Sequence, residues 1–259
     1  MSSSTISTVN KYLLSSSGPY VPPPTYTLIQ SNVAFPAGYT GLTTQMNSIT
    51  TTDRRIVFTP TGTGSWRNQP HELLCSSYLN WAGTMYGIQD IFDNNTTASS
   101  FWAGHFNGPN ALVNYLDGVD MGYFNGASYN SAGNYIGGGV VNGIDNYFTT
   151  IYNSGSANGE YIQFKFPVKV LLKSFDIMCR NTQPLSGPKD VVIVGSNNGS
   201  SWTLIQTLAY STYTNGVYQT KSFTASDKYF YIRCVITTTR MAGVAIGECK
   251  FTFDAYDVV

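Results

Sequence analysis

The residues able to do chemistry in this chain are few. Its histidines are His71 and His105, and its cysteines are Cys75, Cys179, Cys234 and Cys249. No HExxH pair joins the histidines for zinc, and no GxSxG elbow presents a nucleophilic serine. The cysteines lack the close spacing of a zinc site. Cys179 and Cys234 fall inside alternating apolar patterns, where a thiol behaves as a small buried hydrophobe. A Cys75–Cys249 bridge stays open, because the two stand near the ends of one segment; without a secretory signal a free pair is the expectation. Asp117 and Asp120 offer neighbouring carboxylates, but their surroundings, rich in glycine and asparagine, promise no burial to split their pKa values. The sequons at Asn94, Asn95 and Asn198 are expected by coincidence in a chain so rich in Ser, Thr and Asn. The chemistry that remains is binding, and the expectation is a protein that is not an enzyme.

Composition supports that expectation. Fourteen basic and fourteen acidic residues cancel, and only 11% of the 259 residues are charged. A nucleic-acid binder would need a basic stripe to neutralise phosphates, so no such partner is expected. Low net charge favours self-association over colloidal solubility. Nineteen tyrosines offer contact area that is part apolar and part hydrogen-bonding, at low entropic cost. The opening MSSSTISTVNKYLLSSSGPY lacks the apolar run of a secretory signal, and no segment is long and apolar enough to be a transmembrane helix.

The elements that must position any site are strands. Ile162, Phe164 and Phe166 alternate with Tyr161, Gln163 and Lys165, the two-residue period of a half-buried strand. Phe175, Ile177 and Cys179 repeat the pattern, as do Phe230, Ile232, Cys234 and Ile236, then Phe251 and Phe253. VVIVGS, residues 191–196, reads as a strand buried on both faces. Asn198-Gly199 is expected to supply the positive φ angles of a tight hairpin turn before the return strand at Trp202. Many short strands punctuated by Gly, Asn and Pro predict an all-β antiparallel sandwich over residues 71–259. Residues 1–70, with a Pro triplet and a Thr-rich stretch, read as an extended arm; Tyr26–Ile29 and Arg55–Phe58 could each add a strand to a sheet. A segment from about 104 to 159, rich in Gly, Asn and Tyr, reads either as an elaborated surface loop or as a contact surface.

Four blocks in order resemble the discoidin family, the coagulation factor 5/8 C-type domain. They are IFDNN from Ile91 with SFW ending at Trp102, GEYIQFKF from Gly159, the Asp190–Trp202 hairpin, and YFYIR from Tyr229 followed by GECKF from Gly247. The resemblance implies a jelly-roll, galactose-binding-like β-sandwich. The arm and the 104–159 insertion have no counterpart in the simple family pattern, and the cysteines do not clearly match its terminal pair.

By this resemblance a structural Ca²⁺ would be held by Asp93, Asn95, Ser100 and Glu248, a set of hard oxygen donors. Asp93 and Asn95 capping a turn is the competing reading. Ligand binding is implied for Arg180 and Asn181, with His105 and Trp102 as partners: Arg and His donate to vicinal hydroxyls while an aromatic face packs on a sugar. Arg180 could instead pair with Asp176 or Asp190 as an ordinary surface ion pair. Met241 beside Arg240 is the one hint of a lipid-binding loop. Two functions follow. In the first, the chain is a structural component whose arm and insertion contact other subunits of a large assembly, most readily a virus particle. In the second, it is a carbohydrate-binding module with a structural calcium.

Overall fold

The computed structural model describes residues 26–35, 55–57, 72–76, 78–81, 84–86, 91, 96–97, 102–104, 113–116, 119–120, 128–137, 140–141, 144–145, 147–225 and 227–258. Ten strands form the main sheet system: β1 (Tyr26–Phe35), β2 (Arg55–Val57), β3 (Glu72–Cys75), β4 (Trp102–Gly104), β5 (Glu160–Cys179), β6 (Pro188–Ser196), β7 (Thr203–Ala209), β8 (Gln219–Ser222), β9 (Tyr229–Thr239) and β10 (Val244–Val258). Every pairing between them is antiparallel.

The organising element is β5. The two alternating patterns at Ile162–Phe166 and Phe175–Cys179 belong to one continuous strand of 20 residues. Its first part pairs with β3 on one edge and β9 on the other, Glu160 facing Ile236 and Lys165 facing Tyr231. The ladder to β9 is then interrupted before Val170, and from Lys169 onward β5 pairs with β10, reaching β8 on its other edge at Ser174–Ile177. Pro167 stands at the interruption. Proline has no N–H to give a ladder, so it fits where the strand leaves one layer for the other.

Two layers result. One runs β2-β3-β5-β9-β6-β7; the other contains β1, β10, the second half of β5 and β8, with β4 along the start of β10. Rings lock them face to face. Phe164 of the first layer meets Phe251 of the second edge-on at 4.4 Å between centroids, and Phe166 meets Phe253 at 5.1 Å. Phe251 also stacks on Phe175, its neighbour across the ladder, at 4.6 Å. The expected antiparallel sandwich is therefore the architecture of the described chain.

VVIVGS is buried on both sides, as its unbroken apolar run implies. Val191 and Ile193 join the central core, while Val192 and Val194 face a second cluster with Trp202, Val235 and Ala157. That outer cluster is roofed by a hairpin within the insertion, Thr149–Tyr152 with Gly155–Asn158. Beneath it Arg233 lies between the rings of Tyr161 and Trp202, each 4.2 Å away, and its nitrogens donate to Gln163 Oε1 and Thr150 Oγ1.

The turn after β6 differs from its expectation. Among the described non-glycine residues only Thr182 has a positive φ, so Asn198 does not adopt the paired left-handed geometry of a two-residue turn; Gly199 alone does, at 77°. The loop is longer, and side chains hold it. Ser196 Oγ accepts from the amides of Asn198 and Gly199, and Asn198 Oδ1 accepts from those of Ser200 and Ser201.

The fragments expected to add strands do so. Tyr26–Phe35 pairs with β10, and Arg55–Val57 with β3, so these parts of the N-terminal 70 residues complete the chain's own sheets. Parts of the insertion form small antiparallel pieces: Val113–Leu116 and Val119–Asp120 extend a sheet with Tyr78–Trp81 and Thr84–Tyr86. All four cysteines are buried and none is in a disulfide, so Cys75 and Cys249 form no bridge.

Candidate functional site

Where β5 ends, the chain turns through Arg180, Asn181, Thr182 and Gln183 before a short 3-10 turn at Pro184–Ser186 leads into β6. The Gln183 amide donates to the Arg180 carbonyl at 3.1 Å, closing the turn. Thr182 sits at a φ of 100°, outside the regions that a threonine ordinarily adopts. The base of the turn is fixed from both sides. A Cβ on Gly247 would lie 2.8 Å from the Cys179 carbonyl oxygen, and one on Gly187 would lie 2.4 Å from the Tyr213 ring. Only glycine leaves room for approaches this close.

The polar groups of this turn are organised. Arg180 donates from Nη1 to Gln183 Oε1 at 3.1 Å, within the turn rather than to Asp176 or Asp190. Burial pushes its guanidinium below the ordinary arginine pKa, and the neighbouring Tyr86 opposes that shift. Asn181 Nδ2 donates to the Thr96 carbonyl at 3.2 Å, tying the turn to the segment that follows Asn95. Leu185 stands half exposed beside them. A part-buried guanidinium, an amide, a phenol and an apolar rim are groups that recognise hydroxyls and C–H surface together. They form no general acid–base or nucleophile–base pair.

The other expected residues fall differently. Trp102 is completely buried in β4, paired with Ile246, so its indole packs in the core and offers no face to a ligand. Tyr86, which no sequence signal singled out, lies close enough for its hydroxyl to act on the charge of Arg180. His105, Asp93, Asn95 and Ser100 lie outside the described residues. Glu248, the remaining member of the expected calcium set, faces Met178 across the ladder and is fully buried. Among the described residues no group of three His, Cys, Asp or Glu side chains is placed to hold a metal ion. Arg240 is occupied structurally: its guanidinium donates to the carbonyls of Tyr210 and Pro188 and lies over the Tyr213 ring, so it is not a lipid-facing cation.

A second polar centre lies in the interior. The Glu160 side chain is fully buried and accepts from the hydroxyls of Ser76 and Ser128, the latter at 2.8 Å. Tyr129 accepts from the Glu160 amide and donates to the Ile236 carbonyl at 2.8 Å. This network fastens the insertion to the sandwich. It is sealed from solvent, which makes it architectural.

No family model matches the sequence, and no curated protein is similar to it in sequence. Solved structures similar in fold include a family 32 carbohydrate-binding module from Clostridium perfringens NanJ in complex with galactose, at 13% identity and a TM-score of 0.40, covering 70% of this chain and 93% of that one. The family 32 module of AlyQ, in complex with 4,5-unsaturated mannuronic acid, is 14% identical with a TM-score of 0.40, covering 69% and 92%. Two tandem family 32 modules of Clostridium perfringens ZmpB, in complex with GalNAc, are 13% identical with a TM-score of 0.44, covering 93% of this chain and 42% of that one.

Proposed function

We propose that this chain is a binding module without catalytic activity, and that its ligand is a carbohydrate held at the Arg180 turn. The observation that carries the proposal is the pairing of a strained backbone with a part-buried cation. A positive φ at a threonine costs on the order of 1–3 kcal/mol, and such strain concentrates at ligand sites. In this reading Arg180 donates to vicinal hydroxyls, Tyr86 and Leu185 meet the sugar's C–H surface, and Asn181 positions the turn through Thr96. A structural calcium held by Asp93, Asn95, Ser100 and Glu248 belongs to the same proposal; the ion would stiffen the loop that Asn181 grips.

The test is a glycan array followed by calorimetry on the wild type and on Arg180→Ala. A selective response that falls at least tenfold in the variant, with an unchanged circular dichroism spectrum, is expected. A blank array, or binding indifferent to Arg180→Ala, refutes the reading.

One observation favours a second function. Ile136, Tyr147 and Ile151, all in the insertion, are 54%, 42% and 72% exposed. Large apolar side chains displayed this way suit contact with neighbouring subunits, as a virion or other assembly would require. Light scattering on the wild type and on an Ile136→Ser, Ile151→Ser double variant separates the two. Oligomers lost in the variant support assembly, and a monomer in both refutes it.

A further inference from the structure

The end of the sandwich opposite the Arg180 turn carries a small open cavity of about 80 Å³, lined by Leu204, Ile205, Thr224, Ala225, Asp227 and Tyr229. Its position follows from register: Pro188, next to the Arg180 turn, faces Thr239, whereas Ser196 at the far end of β6 faces Tyr231. Tyr229 is nearly buried. Its ring lies so close to Gly195 that a Cβ there would sit 2.2 Å from the ring carbons. Packed this closely, the ring is a fixed wall. Leu204, Ile205 and Ala225 supply apolar surface, Thr224 a hydroxyl, and Asp227 the one charge.

The cations around this cavity have other partners. Lys228 lies over the Tyr256 ring at 4.5 Å, Lys165 over Tyr231 at 5.5 Å and Lys169 over Phe230 at 5.6 Å, while Lys173 pairs with Asp254 at 2.8 Å. Among the described residues none forms an ion pair with Asp227. An exposed carboxylate in an open recess beside three aliphatic side chains and a tyrosine wall is complementary to a cation on a short aliphatic stem. The volume falls below that of drug-sized ligand sites, and suits a single side-chain-sized group better than an oligosaccharide.

We infer that this cavity binds a primary alkylammonium group. The methylenes lie against Leu204, Ile205 and Ala225, and the ammonium is met by the Asp227 carboxylate and the Thr224 hydroxyl. The site is independent of the Arg180 turn.

Proton–nitrogen NMR titration of the full chain tests it, with n-butylammonium as the probe and n-butanol as its neutral counterpart. Saturable shifts of the Leu204, Ile205, Ala225 and Tyr229 amides are expected with the amine, at an affinity on the order of millimolar for so small a ligand. Binding should weaken at least tenfold with n-butanol, and likewise in Asp227→Asn, whose spectrum should otherwise overlay the wild type. Nα-acetyl-lysine N-methylamide and putrescine as further probes distinguish a lysine of a protein partner from a free amine; tighter binding of either supports the site. Equal shifts from n-butanol, absence of saturation with every amine, or unchanged affinity in Asp227→Asn overturns it.

Discussion

Replacing Phe251 with alanine would remove the ring that joins the two layers. Phe251 is 2% exposed, meets Phe164 edge-on at 4.4 Å and stacks on Phe175 at 4.6 Å. A buried phenylalanine truncated to alanine costs about 3–5 kcal/mol through lost transfer energy and the cavity left behind. Two favourable ring pairs, each worth roughly 0.5–1.5 kcal/mol beyond area burial, push the expected loss toward the upper end, about 4–5 kcal/mol. That is a large part of the roughly 5–15 kcal/mol stability of a typical folded protein. At about 2–4 °C per kcal/mol for a chain near this size, the melting midpoint should fall by roughly 10 °C or more. Urea unfolding followed by circular dichroism and tyrosine–tryptophan fluorescence gives the free energy directly. A Phe251→Leu control should lose less than about 2 kcal/mol, since most of the volume remains. A double-mutant cycle with Phe164→Leu should show coupling of at least about 0.5 kcal/mol. A loss below about 1 kcal/mol for Phe251→Ala would mean that the layers are not joined through this ring.

Gly195→Ala should destabilise by about 1–3 kcal/mol, because a Cβ would meet the Tyr229 ring at 2.2 Å. Gly216→Ala, with open space around it but a φ of +72°, should lose only about 1 kcal/mol; chemical denaturation ranks the two. Burial pushes the hydroxyls of Tyr210 and Tyr213 far above the ordinary tyrosine pKa of about 10. Above that pH the unfolded chain releases protons that the folded chain retains, so stability should be full below about pH 10 and fall as pH rises beyond it. Urea midpoints from pH 7 to 11 measure this, and a Tyr210→Phe, Tyr213→Phe variant should flatten the decline. If calcium is bound, a chelator should lower the midpoint by the equivalent of roughly 2.7 kcal/mol relative to a hundredfold excess over Kd, and an unchanged melt removes the ion.

Much of the fold was legible because two-residue alternation states directly which side chains face inward. Ile162, Phe164, Phe166, Phe175 and Ile177 are all buried, as their spacing implied. The same rule misassigns Gln163, which is 5% exposed, since the hairpin just before β5 folds back over that face and Arg233 grips the amide. Periodicity within a strand carries no information about a cover supplied by another element. The continuity of β5 was hidden for a related reason. A proline inside an apolar pattern ordinarily marks a strand end, and only the change of partners shows that β5 continues through Pro167 into the other layer. At the candidate site, motif order pointed to Arg180, whereas the positive φ of Thr182 and the influence of Tyr86 on that arginine leave no signature in the local sequence. Trp102 was misleading because an aromatic in a binding motif and an aromatic in a core have the same letter.

The strand that passes from one layer to the other has a mechanical meaning. Glu160–Cys179 supplies ladder partners to both halves, so neither half keeps a closed set of backbone contacts if the other lets go. The described sandwich should therefore open as one cooperative block, with amide exchange in its deepest strands sharing a single opening free energy. A module of that kind holds its end turns on a stiff frame. A ligand at either end would meet a site that need not first change shape.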